Sequence, residues 1–185
     1  MSFHAPRVID TARLRLRSWR VTDAPVLQAV LGASEAHLRA WTPWVVDGRD
    51  PSLGLEDRLA AHAAAFAEDR EWVYGLFTPD ERSILGACGL YPRIGAGALE
   101  LGYWLAADAT GRGYATEAAA ALVGAAFASP AVARVEIRCD ARNAASLALA
   151  RRLGFRRGDD GVVTVHGRAH ALAIWNATRD GAVEG

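Results

Sequence analysis

Lysine is absent from all 185 residues, and every one of the 21 basic side chains is an arginine. A chain without lysine has no Schiff-base nucleophile and no P-loop, whose signature requires that residue. Cysteine is almost as scarce. Cys88 and Cys139 stand far apart in apolar, strand-like stretches. That is the setting of small core residues, and two isolated cysteines make no zinc site of familiar spacing. Net charge is missing too, because 21 acidic residues cancel the 21 arginines. A dedicated nucleic-acid binder carries a basic excess, so no nucleic-acid partner is expected. The longest apolar run, Ala118 to Ala128, falls well short of the ~20 residues that span a bilayer. Met1 to Arg7 contains no apolar segment of the kind a signal peptide needs. Together these absences predict a soluble, cytoplasmic protein with no membrane partner and no metal.

What is present is a core-forming chain, 51% hydrophobic, of a length suited to one domain. Residues 1–178 are expected to form that domain, with 179–185 as a flexible tail. Leu14 to Trp19 alternates in the manner of a strand. Thr22-Asp23 opens a helix, with Pro25 in its first turn. His37 to Trp44 reads as a short helix ended by Pro43. Leu55, Leu59, Ala63 and Phe66 recur at helical spacing between Ser52 and Asp69. Three strands follow, Trp72 to Phe77, Ile84 to Tyr91 and Leu99 to Leu105. Thr116 to Ala128 is an alanine-rich helix, Arg134 to Asp140 a β-branched strand. Asn143 to Leu153 is a helix capped by Asn143 and stopped by Gly154. Val162 to Val165 and His170 to Trp175 form a hairpin-like pair around Gly167-Arg168. This order gives an α+β fold with a mixed sheet rather than a regular βαβ alternation.

The densest chemical signal is Thr110-Gly111-Arg112-Gly113-Tyr114-Ala115-Thr116-Glu117-Ala118, between a strand and a helix. Two glycines let backbone approach a ligand closely. The unpaired N–H groups of the next helical turn, with the helix dipole, then favour an anion, and Arg112 adds charge. A glycine-rich turn into a packed helix with no ligand is the plainer reading. A dinucleotide site is the other rival, but Thr116 stands where the Rossmann fingerprint needs its third glycine.

The stretch Leu99 to Leu105 followed by Gly111-Arg112-Gly113-Tyr114-Ala115-Thr116-Glu117-Ala118 resembles the acetyl-CoA motif of the GNAT N-acetyltransferases. More narrowly it resembles the branch that contains the ribosomal-protein alanine and serine N-acetyltransferases. That branch also shows a strand ending near cysteine, an Asn-x-x-Ser and a helix ending Leu-Gly-Phe, matched by Cys139, Asn143 to Ser146 and Leu153-Gly154-Phe155. His37 to Trp44 and Thr11 to Arg17 fit its N-terminal half. The resemblance covers nearly the whole chain and implies a three-layer fold, a central mixed and mostly antiparallel sheet flanked by helices. One departure is Thr110, where the family's loop usually begins with Gln or Arg.

The resemblance also implies roles. Acetyl-CoA, as cosubstrate, is expected to contact Leu105, Thr110, Gly111, Arg112, Gly113, Tyr114, Ala115, Thr116, Asn143 and Ser146. A backbone N–H near Trp104 or Leu105 would stabilise the oxyanion. Ser146 is the expected hydrogen-bond donor to the departing thiolate; its plainer reading is support for the Asn143 cap. Glu100 is the base candidate, because a carboxylate inside an apolar strand needs a reason; an ion pair, with Arg93 for instance, is the alternative. Trp41 and Trp44 are expected to wall the substrate cleft, or to be core. His170 has a conceivable substrate-side role, and His166 flanks the same turn. Three functions compete: acetylation of a protein N-terminal amine, acetylation of a small amine (amino acid, polyamine or antibiotic), and non-catalytic acyl-CoA binding. A monomer or homodimer suits any of them.

Overall fold

The computed structural model describes residues 3–47, 52–165 and 168–179, excepting the side chains of 43, 44 and 163–170. Strands β1 (Val8–Asp10) and β2 (Arg15–Ser18) open the chain as an antiparallel pair. A 3-10 turn leads into helix α1 (Ala24–Ala33). Two short helices follow, α2 (Glu35–Arg39) and α3 (Pro43–Asp47), and then α4 (Leu55–Ala67). Strands β3 (Trp72–Phe77), β4 (Ile84–Tyr91) and β5 (Ala98–Leu105) form an antiparallel meander. Helix α5 (Tyr114–Ala128), β6 (Arg134–Asp140), α6 (Ala144–Arg152) and β7 (Arg156–Arg157) come next, then β8 (Gly161–Val165) and β9 (Arg168–Thr178).

The sheet order is β1-β2-β3-β4-β5-β6-β9-β7, with β8 added alongside β9. Among the paired strands only β5 and β6 run parallel. The mixed, mostly antiparallel α+β architecture expected from the sequence is the one observed. Local differences remain. The three-residue strand β1 and the two-residue strand β7 are too short to show a period and were not expected. Pro43, read as the end of regular structure, opens α3 instead; at a first helical position its missing N–H costs no hydrogen bond.

Apolar residues cover both faces of the sheet. In the first cluster Leu99 and Leu101 of β5 pack with Ala118, Ala119 and Leu122 of α5 and Leu149 of α6. The alanines bring α5 close to the strands, and burying Leu122 alone contributes about 1.5–3 kcal/mol. In the second, Leu27 and Leu31 of α1, Leu38 of α2 and Leu59 of α4 meet Val73 and Ala87. Strand alternation sorts β5 between them. Leu99, Leu101, Tyr103 and Leu105 belong to the α5/α6 side, and Trp104 to the α1–α4 side. Glu100 and Gly102 share the face of Trp104. Arg17 locks β2 to this scaffold: its guanidinium, 6% exposed, pairs with Asp23 at 2.8 Å and Glu81 at 2.6 Å.

Candidate active site

The single parallel pairing stops partway along both of its strands. β5 and β6 are joined from Ala98↔Arg134 to Leu101↔Ile137 and no further. β6 continues along β9 as far as Asp140, so the two strands part company. Gly102 to Leu105 therefore lack a partner on that edge. Successive residues of a strand turn their N–H and C=O groups to opposite edges, so half of those at Gly102–Leu105 face the gap. The gap opens into a cavity of about 1130 Å³ that runs from the loop at Thr110–Thr116 to helices α2 and α4.

At one end stands the glycine loop. Gly111 (φ 74°) and Gly113 (φ 81°) are both left-handed, a conformation that costs any residue with a Cβ. Nothing lies within 4 Å of a Cβ built on Gly111, so the space before the loop is open. Gly113 caps α5, and the N–H groups of Tyr114, Ala115 and Thr116 form its first turn, where no intrahelical acceptor is available. The Thr110 hydroxyl donates to the Ala107 carbonyl at 2.8 Å, so its hydrogen is used in the turn. From behind, Glu117 accepts from the Thr11 hydroxyl at 2.6 Å, the Arg13 N–H at 2.9 Å and the Arg13 Nε at 2.7 Å. The Arg13 Nη1 also donates to the Arg112 carbonyl at 2.8 Å. Burial would raise the Glu117 carboxyl, yet these hydrogen bonds hold it below its ordinary value. The sequence reading saw Thr11–Arg17 and Glu117 only as parts of separate motifs; their contact is set by tertiary structure.

Along the gap, Asn143 caps α6 by accepting from the Ser146 N–H at 3.1 Å. The cap uses the carbonyl oxygen of Asn143 and leaves its NH₂ group for another partner. Ser146 is half-buried and lines the cavity. Beside it is a residue missed as a candidate, Tyr103. Its hydroxyl is buried without a well-formed hydrogen bond. Burial raises its pKa, with Ser146 opposing the shift, so it remains a protonated donor at neutral pH. The one sequence signal was a hydroxyl in a strand whose same-face neighbours are leucines. Cys139 also lines the gap, with burial pushing its thiol up to about 11.

The other end is built of side chains. Glu100 lies there in a two-pronged pair with Arg93, at 2.6 and 2.9 Å, and the guanidinium stacks 4.4 Å from the centre of the Tyr91 ring. Glu100 is also directly across from Glu136 in the parallel register, and Glu136 is held by Arg134 and Arg138. Two facing carboxylates would repel, and the arginines paired with each offset that repulsion. The ion-pair alternative for Glu100 is thus present in the structure, with two of its four lone-pair sites still open to water or an amine. Trp41 lines the cavity and is 37% exposed, which makes it wall rather than core. The side chains of Trp44 and His170, and all of His166, lie outside the described residues.

The model of the acetyltransferase (GNAT) domain matches residues 13–156. YjcK of Bacillus subtilis, named a probable N-acetyltransferase, is 29% identical over 107 residues, covering 56% of this chain. The chain spans 59% of that relative's length. Among solved structures, RimL, a ribosomal-protein alpha-N-acetyltransferase in complex with coenzyme A, superposes with a TM-score of 0.81 at 20% identity. That match covers 94% of this chain and 99% of RimL. MccE, a microcin self-immunity acetyltransferase in complex with acetyl-CoA and AMP, gives 0.82 at 19% identity, covering 95% and 98%. At such identities the likeness speaks for the fold. Among the described residues no helix is long and apolar enough to cross a membrane, and no group of His, Cys, Asp and Glu could hold a metal.

Proposed function

Because the chain belongs to the GNAT acetyltransferase family, we propose that it transfers the acetyl group of acetyl-CoA to a primary amine in a ternary complex, as one cytoplasmic catalytic domain over residues 1–178. The observation that carries this reading is the split between β5 and β6 beside the left-handed glycine loop. The pyrophosphate would sit against the backbone N–H groups from Gly111 to Thr116, with Thr110 and the side chain of Arg112 at the rim. The pantetheine arm would run through the gap, completing the ladder at Gly102–Leu105 and meeting the NH₂ of Asn143. The thioester carbonyl would then lie near Leu105, where a strand N–H facing the gap stabilises the oxyanion.

The amine attacks the thioester carbon, the C–S bond breaks, and the thiolate leaves with a hydrogen bond from Ser146, Tyr103 or both. Such a donor matters because a thiol of pKa about 8.5 is only a fair leaving group at neutral pH. Glu100, through water, takes the proton that the amine loses, while Arg93 holds the carboxylate in position. A protein N-terminal α-amine suits this modest base, since its pKa of about 7.7–8.0 leaves a sizeable neutral fraction. A small amine is the second reading, favoured by the side chains of α2 and α4 that line the acceptor end of the cavity. Thiol release from acetyl-CoA, measured against N-terminal peptides and small amines, tests the proposal. Binding of CoA without acetylation of any amine would leave only the non-catalytic reading.

A further inference from the structure

The arginines lining the cavity differ in their partners: Arg152 of α6 is exposed to water, and the others are paired with one exception. Arg39, Arg93, Arg138 and Arg142 each have a carboxylate partner, namely Asp47, Glu100, Glu136 and Asp140. Arg58 of α4 has none within salt-bridge distance among the described residues. Its Nη1 makes one long contact, 3.4 Å, to the Val45 carbonyl, and its Nε is buried with no hydrogen-bond partner. Burial lowers its pKa, although Asp47 opposes this, while those of Arg39 and Arg93 are raised by their carboxylates. A half-buried guanidinium with unmet donors is costly to keep, and a carboxylate or phosphate relieves that cost best.

Its position says which ligand would bring the anion. Leu55 and Leu59, on either side of Arg58, and Val45, which it touches, all belong to the α1–α4 cluster that includes Trp104. Arg58 is therefore on the face that carries Glu100, across the sheet from Tyr103 and Leu105. Among the described residues, the carboxylates at the end with Arg39, Arg58 and Arg93 are Glu100, which Arg93 pairs, and Asp47, which Arg39 pairs. A polycation finds no unpaired carboxylate among them.

We propose that the acceptor is an anionic amine, with a carboxylate or phosphate near the amino group, and that Arg58 binds this anion and sets acceptor specificity. The inference rests on the transferase reading of the site. Two kinds of acceptor share the chemistry: an N-terminal peptide with an acidic residue close to its amine, and a small amino acid or aminophosphate.

The test uses matched acceptors. Peptides with an N-terminal Ser-Asp or Ser-Asn, and a free amino acid or its amide, are compared for acetylation and for titration into CoA-saturated protein. The expected result is a preference of about ten- to a hundred-fold for the anionic member, the scale of a charge-assisted hydrogen bond. Arg58→Met should reduce that preference to near one through KM, leave turnover of the neutral acceptor unchanged, and not lower the melting temperature. Arg58→Lys should restore part of the preference. Which pair shows the larger effect separates peptide from small molecule. Equal use of neutral and anionic acceptors by the unaltered protein, failure of the anionic members to bind, or equal loss on both in Arg58→Met would overturn the inference. Anionic amines that bind through Arg58 yet are never acetylated would sink the transferase reading and leave only the anion site at Arg58 standing.

Discussion

The two ends of the cavity are made of different materials. The end at Gly111–Thr116 and Gly102–Leu105 is mostly backbone: left-handed glycines, free N–H groups of a helix start and an unpaired strand edge. The end under α2 and α4 is made of side chains, among them Arg58, Arg93, Glu100 and Trp41. Backbone offers the same groups whatever the sequence, so it suits an invariant ligand such as a cosubstrate. Side chains can be exchanged one at a time, so they suit an acceptor that differs between relatives. The same contrast decides what mutation should do at each end.

The largest effect is expected at the backbone end. Gly113→Val places a β-branched residue at φ 81°, with its Cβ 3.4 Å from the Arg13 Nη2. Strain of about 1–3 kcal/mol is typical there. Acetyl-CoA affinity should fall roughly ten- to a hundred-fold by that measure, with acceptor KM little changed, as calorimetry and steady-state kinetics will show. If affinity survives, the loop does not hold the cosubstrate.

Next in size are the thiolate donors. Ser146→Ala and Tyr103→Phe should each slow turnover, near or below the ~100-fold lower end of general-acid effects, and leave the acetyl-CoA dissociation constant unchanged. A donor to the thiolate acts on the transition state more than on the neutral thioester. The cap reading of Ser146 gives another pattern, equal loss of affinity and rate with a lower melting temperature. Tyr103→Phe should not destabilise, since it removes a buried hydroxyl that makes no well-formed hydrogen bond.

Legibility followed the same division. The backbone end could be read because its signals are local. Gly111 and Gly113 before an alanine-rich helix, Asn143 three residues before Ser146, and Gly154 after α6 are each fixed by the conformation they adopt. Strands β3, β4 and β6 could be read because buried β-branched and aromatic runs are bounded by turn residues. The side-chain end was opaque. That Arg93 pairs with Glu100, seven residues further along, was only one option among several arginines. That Arg58 is left without a carboxylate while Arg39 takes Asp47 depends on how α2, α3 and α4 pack. The Thr11–Arg13–Glu117 clamp joins residues more than a hundred positions apart, beyond any periodicity. Tyr103 was hidden by its own strand, where it resembles one more core aromatic.

A smaller effect is expected from Glu100→Gln. The turnover deficit should be several-fold and grow as pH falls, because less of the acceptor amine is then neutral and a base matters more. Loss of the Arg93 pair should cost at most about 1 kcal/mol, since the guanidinium is partly exposed. A variant that loses stability but keeps its rate at every pH would make Glu100 purely structural.

The smallest effect at neutral pH is the acid response of the clamp behind the loop. The Glu117 carboxyl is held below its ordinary value in the folded protein. Its contribution to stability is therefore complete above the unfolded pKa of about 4.3 and is lost as pH drops through the depressed folded value. Melting temperature followed from pH 7 to pH 3 should fall more steeply in the unaltered protein than in Glu117→Gln. Parallel curves would show that the clamp carries no such linkage.

The central claim is that the β5/β6 split and the adjoining glycine loop hold acetyl-CoA. Titrating CoA into uniformly ¹⁵N-labelled protein tests it residue by residue. The account predicts saturable binding, with the largest amide shifts at Gly111 to Thr116, at Gly102 to Leu105 and at Asn143, and small ones in α2 and α4. Absence of binding at millimolar CoA, or shifts centred on α2 and α4 instead, would contradict it.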